Sequence, residues 1–335
     1  MTLRGTDTPA SHDRGVSSSM PDAAGPFPLS KFSDPSVTAK GERRAHVDFR
    51  AYETVWFNTG TLCNITCQGC YIESSPKNDR LAYLSLGDIQ TFLDEAQRLS
   101  PPPSEIGFTG GEPFMNPDII AMLEAALTRG FHVLVLTNAM KPMQHLRSQL
   151  LDLNRRFQGL LSTRVSLDHY LGEKHEHIRG QRTWEPSIEG LTWLAKNGFD
   201  LAVAGRMAWG EDEASTRAGY SKLFLELGLP ILADDPYRLV LFPEMDEHAD
   251  VPEITEACWG ILGKSPADVM CSNSRMVIKR KGAERPTVVS CTLLAYSPEF
   301  EMGSTLADAA HSVSLNHRHC ARFCVLGGAS CSGTR

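Results

Sequence analysis

The sequence predicts an α/β fold: a parallel sheet of six strands built from repeated strand–helix units, followed by a small cysteine-rich C-terminal domain containing a β-hairpin. Three observations lead there. Between residues 50 and 246 short apolar runs alternate with amphipathic helical stretches, and such repeats with short connections close into a parallel sheet through right-handed crossovers. Residues 247–335 differ in composition: Cys258, Cys271, Cys291, Cys320, Cys324 and Cys331 all fall there, with no long helical pattern between Cys271 and Cys291. Residues 1–45 are rich in Ser, Pro, Gly, Asp and Thr. That composition cannot bury enough surface to order itself, so a disordered arm is expected.

Taken in order, Tyr52, Val55, Trp56 and Phe57 place a first strand within 51–58, feeding a loop that carries Cys63, Cys67 and Cys70. A helix over 85–99 follows, with Ile89, Phe92, Leu93 and Ala96 on one face and Ser85 with Asp88 as a capping pair. Pro101 to Pro103 stop it. Glu105 to Thr109 form a second strand ending in Gly110 and Gly111, where the missing Cβ lets the backbone approach a ligand. Asn116 and Pro117 start the next helix, with Ile120, Leu123 and Leu127 as its buried face and Gly130 at its C′ position. A third strand over 131–136 ends at Thr137 and Asn138, a helix carries Leu146, Leu150 and Leu153, and a fourth strand covers 160–167. Helices near 187–196 and 213–227, with strands at 199–205 and 238–242, complete the six. In the tail, 275–279 and 287–289 alternate as the two strands of a hairpin that brings Cys271 and Cys291 together, and Cys320 and Cys324 can join that pair.

The 335 residues, 41 % of them apolar, suffice for one large domain and one small one. A net charge of −7 offers no basic stripe for nucleic acid or an anionic membrane. No run of eighteen apolar residues and no N-terminal signal pattern is present, so no membrane partner is expected and the protein reads as cytoplasmic. Nine cysteines in such a chain point to metal ligation in a reducing compartment.

Cys63, Cys67 and Cys70 lie within eight residues, and three thiolates so spaced can each hold one iron of a cubane [4Fe–4S] cluster, leaving the fourth iron open. Structural zinc normally takes four ligands, and no fourth Cys or His lies close in sequence. This CxxxCxxC spacing, followed forty residues later by Gly110, Gly111, Glu112 and Pro113 as a GGEP motif, resembles the radical S-adenosylmethionine (SAM) superfamily. One departure stands out: the aromatic that usually precedes the last cysteine is Gly69 here, with Tyr71 on the other side of Cys70.

The resemblance implies a partial (β/α)6 TIM-type barrel with its chemistry at the C-terminal strand ends. It implies a [4Fe–4S] cluster that binds SAM at Cys63, Cys67 and Cys70. Glu112 and the carbonyls of Gly110 and Gly111 would take the methionyl ammonium, and Tyr71 is a candidate to back the adenine. Ser166 and Asp168 are candidates for the ribose hydroxyls, and Arg206 for a carboxylate of SAM or substrate; the alternative is that Asp168 caps the next segment and Arg206 makes a local ion pair. Ser166, Leu167, Asp168, His175, His177, Arg179, Gly180 and Trp184 also resemble a stretch of those members that carry a C-terminal SPASM or twitch extension. The two histidines read as surface residues rather than metal ligands.

By the same resemblance the tail holds one auxiliary [4Fe–4S] cluster on Cys271, Cys291, Cys320 and Cys324. Cys331 is the replacement candidate for one of these and Cys258 a spectator, and structural zinc on the same four thiols is the alternative. The implied activity is reductive cleavage of SAM to a 5′-deoxyadenosyl radical that oxidises or rearranges a C–H site of a polar small molecule. Modification of a ribosomal peptide or protein side chain is the second reading, and a non-catalytic iron–sulfur sensor or scaffold the third. An external low-potential electron donor such as flavodoxin or ferredoxin is expected as partner.

Overall fold

A computed structural model describes residues 30–244 and 250–328. Its strands are β1 (His46–Val47), β2 (Thr54–Asn58), β3 (Glu105–Thr109), β4 (His132–Thr137), β5 (Leu161–Ser166), β6 (Asp200–Met207), β7 (Leu239–Pro243), β8 (Ser274–Ile278), β9 (Thr287–Val289) and β10 (Val313–Ser314). Its helices are α1 (Leu86–Arg98), α2 (Ile119–Thr128), α3 (Lys141–Gln144), α4 (Arg147–Arg156), α5 (Gly172–Arg179), α6 (Trp184–Lys196), α7 (Glu213–Glu226) and α8 (Ala257–Leu262). A π-helical segment, Cys320–Leu326, closes the described chain.

One eight-stranded sheet runs in the order β7-β6-β5-β4-β3-β2-β8-β9. Strands β2 to β7 are mutually parallel, as expected. Every residue of β2 is buried, which suits a strand covered on both faces and explains its unbroken apolar run. Helix α1 has the Ser85–Asp88 capping box, each side chain accepting from the other's backbone N–H, and buries the four residues expected of it.

Three local readings are corrected. Helix α2 begins at Ile119 and buries Ile119, with Ile120 only half-buried. The cause is Asn116: its Oδ1 accepts from the Asp118 N–H at 2.9 Å and its Nδ2 donates to Thr59 O and Leu84 O, so residues 116–118 form a turn and the helix face rotates. The stretch 172–179 is helical, and His175 on it is fully buried rather than at the surface, while His177 is exposed. Residues 30–45 are packed against the rest of the chain instead of forming a disordered arm. Arg44, 0 % exposed, pairs with Glu253 and donates to Asp34 O and Val37 O, and β1 pairs antiparallel with β10. Composition hid this because the charge neutralising Arg44 lies 209 residues away. Residues 1–29 of the expected arm lie outside the described residues.

The predicted hairpin is β8–β9, and β8 also pairs parallel to β2, so the tail continues the barrel's own sheet. Arg275 pins it. This fully buried side chain donates from Nε to Ala309 O (2.9 Å) and from its two terminal nitrogens to Cys271 O (2.5 Å), Ser274 O (2.6 Å) and His311 O (2.7 Å), over the ring of Phe49. Replacing Arg275 with Met leaves buried carbonyls without donors. The unfolding free energy in a urea titration is expected to fall by about 3 kcal/mol or more.

Candidate active site at the C-terminal ends of the strands

The loop after β2 has no regular structure, so other elements must hold it. Cys63 N–H donates to Ser75 O, and Gln68 N–H donates to Ile178 O of α5 at 2.8 Å. Arg206, near the end of β6, donates to Gln68 O at 3.2 Å. From the other side, Gly111 N–H bonds Gly60 O (2.8 Å) and Glu112 N–H bonds Leu62 O (3.1 Å), tying the end of β3 to the start of the loop. A Cβ on Gly111 would sit 2.2 Å from Leu62 O, and one on Gly110 would sit 2.5 Å from Gly60 O, with Gly110 at φ +142°. The glycine pair is therefore required by contact between protein backbones, rather than by ligand approach alone.

Cys63, Cys67, Cys70, Tyr71, Gly110, Gly111, Ser166, Asp168 and Arg206 line one cavity of about 150 Å³, so all but one of the residues expected around the cofactor meet there. The exception is Glu112. It is 1 % exposed, does not line the cavity, and accepts from Phe114 N–H (3.2 Å), Thr137 Oγ1 (2.8 Å) and Asn138 N–H (2.8 Å). Burial pushes its carboxyl up to about 7 against the pull of those bonds. Its visible work is to fix the end of β4, where Asn138 Nδ2 donates to Asn64 Oδ1 beside Cys63.

Asp168 and Arg206 form the ion pair that was the alternative to direct cofactor contact. Asp168, 3 % exposed, meets Arg206 Nε at 3.2 Å and Arg179 Nε at 2.7 Å. Burial would raise its carboxyl, but the two guanidinium groups outweigh that and hold it below the usual range. Arg179, Thr137, Asn138 and Arg164 also line the cavity, and the sequence reading gave none of them a role. Arg179 is eleven residues from Asp168, and only the fold of α5 turns it inward. His175 lies edge-on to Trp184, and among the described residues neither ring nitrogen has a hydrogen-bond partner. Burial and the neighbouring Arg179 push it down to about 3.

The donor set fits an iron–sulfur cluster. Three thiols line the cavity, and no histidine or fourth cysteine does, the pattern that leaves one iron open. Burial pushes Cys63 up to about 12 and raises Cys67, so these thiols hold their protons until a metal displaces them. In the tail, Cys271, Cys291, Cys320 and Cys324 line a second, apolar cavity of about 20 Å³ together with His319, which sequence reasoning did not single out. Burial pushes Cys271 up to about 12 and also raises Cys320. Leu293 lines both cavities. Cys258 lies apart, accepting from Thr255 N–H at 3.4 Å, and Cys331 lies outside the described residues. Among the described residues no three of His, Cys, Asp or Glu are gathered tightly enough for a single metal ion.

The parallel α/β sheet carries a three-thiol loop and a glycine turn at its C-terminal strand ends, the place where barrel-type enzymes hold their chemistry. Residues 57–211 match the profile of the radical SAM superfamily, which identifies this part of the chain as a radical SAM domain. The domain takes a [4Fe–4S] cluster and SAM. The chain is 28 % identical over 143 residues to the antilisterial bacteriocin subtilosin biosynthesis protein AlbA of Bacillus subtilis (strain 168), covering 42 % of this chain and 30 % of AlbA. It is 28 % identical over 137 residues to the mycofactocin maturase MftC of Mycobacterium tuberculosis (strain ATCC 25618 / H37Rv), covering 41 % and 33 %. The match thus spans about a third of the length of these relatives. Among solved structures, Streptococcus suis SuiB shares the fold with a TM-score of 0.58 at 11 % identity, over 79 % of this chain and 67 % of SuiB. AdoMet-bound anSMEcpe does so with a TM-score of 0.56 at 13 % identity, over 79 % and 81 %. No helix among the described residues is long and apolar enough to cross a membrane.

Two outcomes follow from the geometry. Gly111→Ala drives a Cβ into Leu62 O, so protein reconstituted anaerobically is expected to lose the iron and visible absorption of the catalytic cluster. For His175 the sign is fixed by its lowered pKa: below about 6.5 the unfolded chain takes up a proton that the folded chain refuses down to about 3. Stability is therefore lost as pH falls, by about 2 kcal/mol between pH 7 and pH 5. Denaturant titrations at the two pH values should show that loss reduced in His175→Leu.

Proposed function

We propose that this protein is a radical SAM enzyme that abstracts hydrogen from an apolar or aromatic side chain of a peptide or protein. The supporting observation is the makeup of the cavity. Beyond the thiols and the polar groups near them, its wall is apolar, from Leu293, Phe323, Phe242 and Pro243 together with Ile65, Leu136 and Ala204, and the rings of Phe242 and Phe323 stack at 5.3 Å. Against this apolar part of the wall the groups of a polar small molecule would go unpaired, whereas an apolar side chain gains by burial there. Two of the similar proteins bear peptide-related names, AlbA in bacteriocin biosynthesis and SuiB crystallised with its precursor peptide SuiA, whereas GTP 3′,8-cyclase of Tolumonas auensis is named for a small molecule.

In this reading the carbonyls of Gly110 and Gly111 receive the methionyl ammonium, Ser166 faces the ribose, and Arg206, held by Asp168, faces a carboxylate. Arg179 sets a buried positive charge beside Cys67 and Cys63, offsetting the thiolate charge that cluster binding creates. When bound, the cluster and SAM supply one-electron cleavage of a carbon–sulfur bond and a 5′-deoxyadenosyl radical. The apolar wall excludes water and competing hydrogen donors while it orients the substrate C–H bond. Cys271, Cys291, Cys320 and Cys324 hold one auxiliary [4Fe–4S] cluster, with Leu293 between the two cavities.

The test is release of 5′-deoxyadenosine from anaerobically reconstituted protein given SAM and a strong reductant. Wild type should release it and Cys63→Ala should not, while iron analysis finds the tail cluster retained in Cys63→Ala and lost selectively in Cys291→Ala. Peptides with aliphatic or aromatic residues should stimulate release more than sugars or nucleotides do. Stimulation by the polar compounds alone would assign the enzyme to small-molecule chemistry instead.

A further inference from the structure

Ile65 lines the active-site cavity and also a separate groove of about 750 Å³ on the protein surface. The floor of that groove is apolar, from Phe114, Met115, Met140 and Leu146, its charged lining residues are Lys141 and Arg182, and His145 also lines it. All three are exposed, no acidic residue lines the groove, and among the described residues none of the three is in an ion pair. In a chain of net charge −7 an all-basic groove is a local reversal of sign. Arg182 is also held at φ +62°, a left-handed conformation that costs a non-glycine residue energy and turns up where a side chain must be presented.

The groove reaches the cysteine loop directly. Asn64, a lining residue, lies with its Oδ1 3.9 Å from Cys63 Sγ, and its Nδ2 meets Met140 Sδ on the groove floor at 3.7 Å. A partner seated there is separated from a cluster ligand by one side chain. We propose that this groove docks an acidic electron-carrier protein that reduces the catalytic cluster. The carrier, of flavin or iron–sulfur class, gives up one electron and the cluster gains one, with no bond made or broken in the protein. A small patch with an apolar floor and a charged rim suits such an encounter, because electron-transfer contacts are small and transient and are steered by charge. This inference rests on reading Cys63, Cys67 and Cys70 as a cluster that must be reduced.

Stopped-flow bleaching of the cluster in anaerobically reconstituted full chain tests it with two donors: flavodoxin hydroquinone, an acidic protein, and photoreduced 5-deazariboflavin, a small uncharged molecule. In wild type the flavodoxin rate should fall as salt rises. A variant carrying Lys141→Glu and Arg182→Glu should be slower with flavodoxin by at least about tenfold and unchanged with deazariboflavin. Equal flavodoxin rates in the two proteins overturn the proposal, as does a wild type that deazariboflavin reduces and flavodoxin does not. If the variant slows with both donors, the neutral Lys141→Gln, Arg182→Gln variant decides: loss of salt dependence with flavodoxin and an intact deazariboflavin rate support the dock, and retained salt dependence overturns it. A wild-type cluster that deazariboflavin fails to reduce overturns the reading of the cysteine loop itself.

Discussion

The geometry of the active site depends on one buried carboxylate. Asp168 leaves the end of β5 and binds Arg179 from α5 and Arg206 from β6. Arg206 then holds Gln68 O, and the residue before Arg179, Ile178, accepts the Gln68 N–H through its carbonyl. Helix α5, which follows β5, and the end of β6 are thus drawn onto the loop between Cys67 and Cys70 by a single charge. Without Asp168 two guanidinium groups would stand at the cavity wall with no counter-charge, a cost of several kcal/mol. With it, their positive charge is available where buried thiolates need it.

The other side of the loop is held by shape instead of charge. The missing side chains of Gly110 and Gly111 let β3 approach the backbone of Gly60 and Leu62 closely, and the motif's glutamate is spent on the end of β4. Glu112 orients Asn138, which binds Asn64 next to Cys63. The glycines and the glutamate therefore build the wall that carries the first cysteine, a task distinct from contact with the cofactor. A neutral or charged Glu112 can accept the same bonds, which is how a carboxyl pushed up to about 7 remains tolerable in a buried place.

What could be read from the sequence was what local chemistry determines. Buried parallel strands leave apolar runs, a capping box leaves Ser85 and Asp88, and soft metal ligands leave closely spaced cysteines, so β2 to β7, α1, the hairpin and the two thiol groups were legible. The parts not legible depend on partners remote in sequence. The order of residues 30–45 rests on Arg44, whose partner Glu253 is remote in sequence. Helix α5 looked like a charged surface stretch because its buried stripe is His175, Ile178 and Arg179, only one of which is apolar. Arg179 could gain a role only once the helix turned it toward Asp168. The shift from Ile120 to Ile119 in α2 likewise follows from Asn116 bonding to Thr59 and Leu84, neither of them neighbours in sequence.

The parallel pairing of β8 with β2 sets how the two thiol groups are related. The catalytic loop hangs from the C-terminal end of β2, whereas Cys271 precedes β8 and Cys291 follows β9, its antiparallel neighbour. Cys271 and Cys291 therefore flank the N-terminal end of the same strand pair. The five residues of β2, four of them paired with β8, span on the order of 15 Å, and the cavity walled by the cysteine loop meets the tail cavity at Leu293. A reactant held in the first cavity meets the thiols of the cysteine loop directly and the tail thiols only across Leu293. Because β8 and β2 are strands of one sheet, that spacing is fixed by hydrogen bonds within the sheet, and Arg275, anchored on Cys271 O, Ala309 O and His311 O, transmits it to the tail.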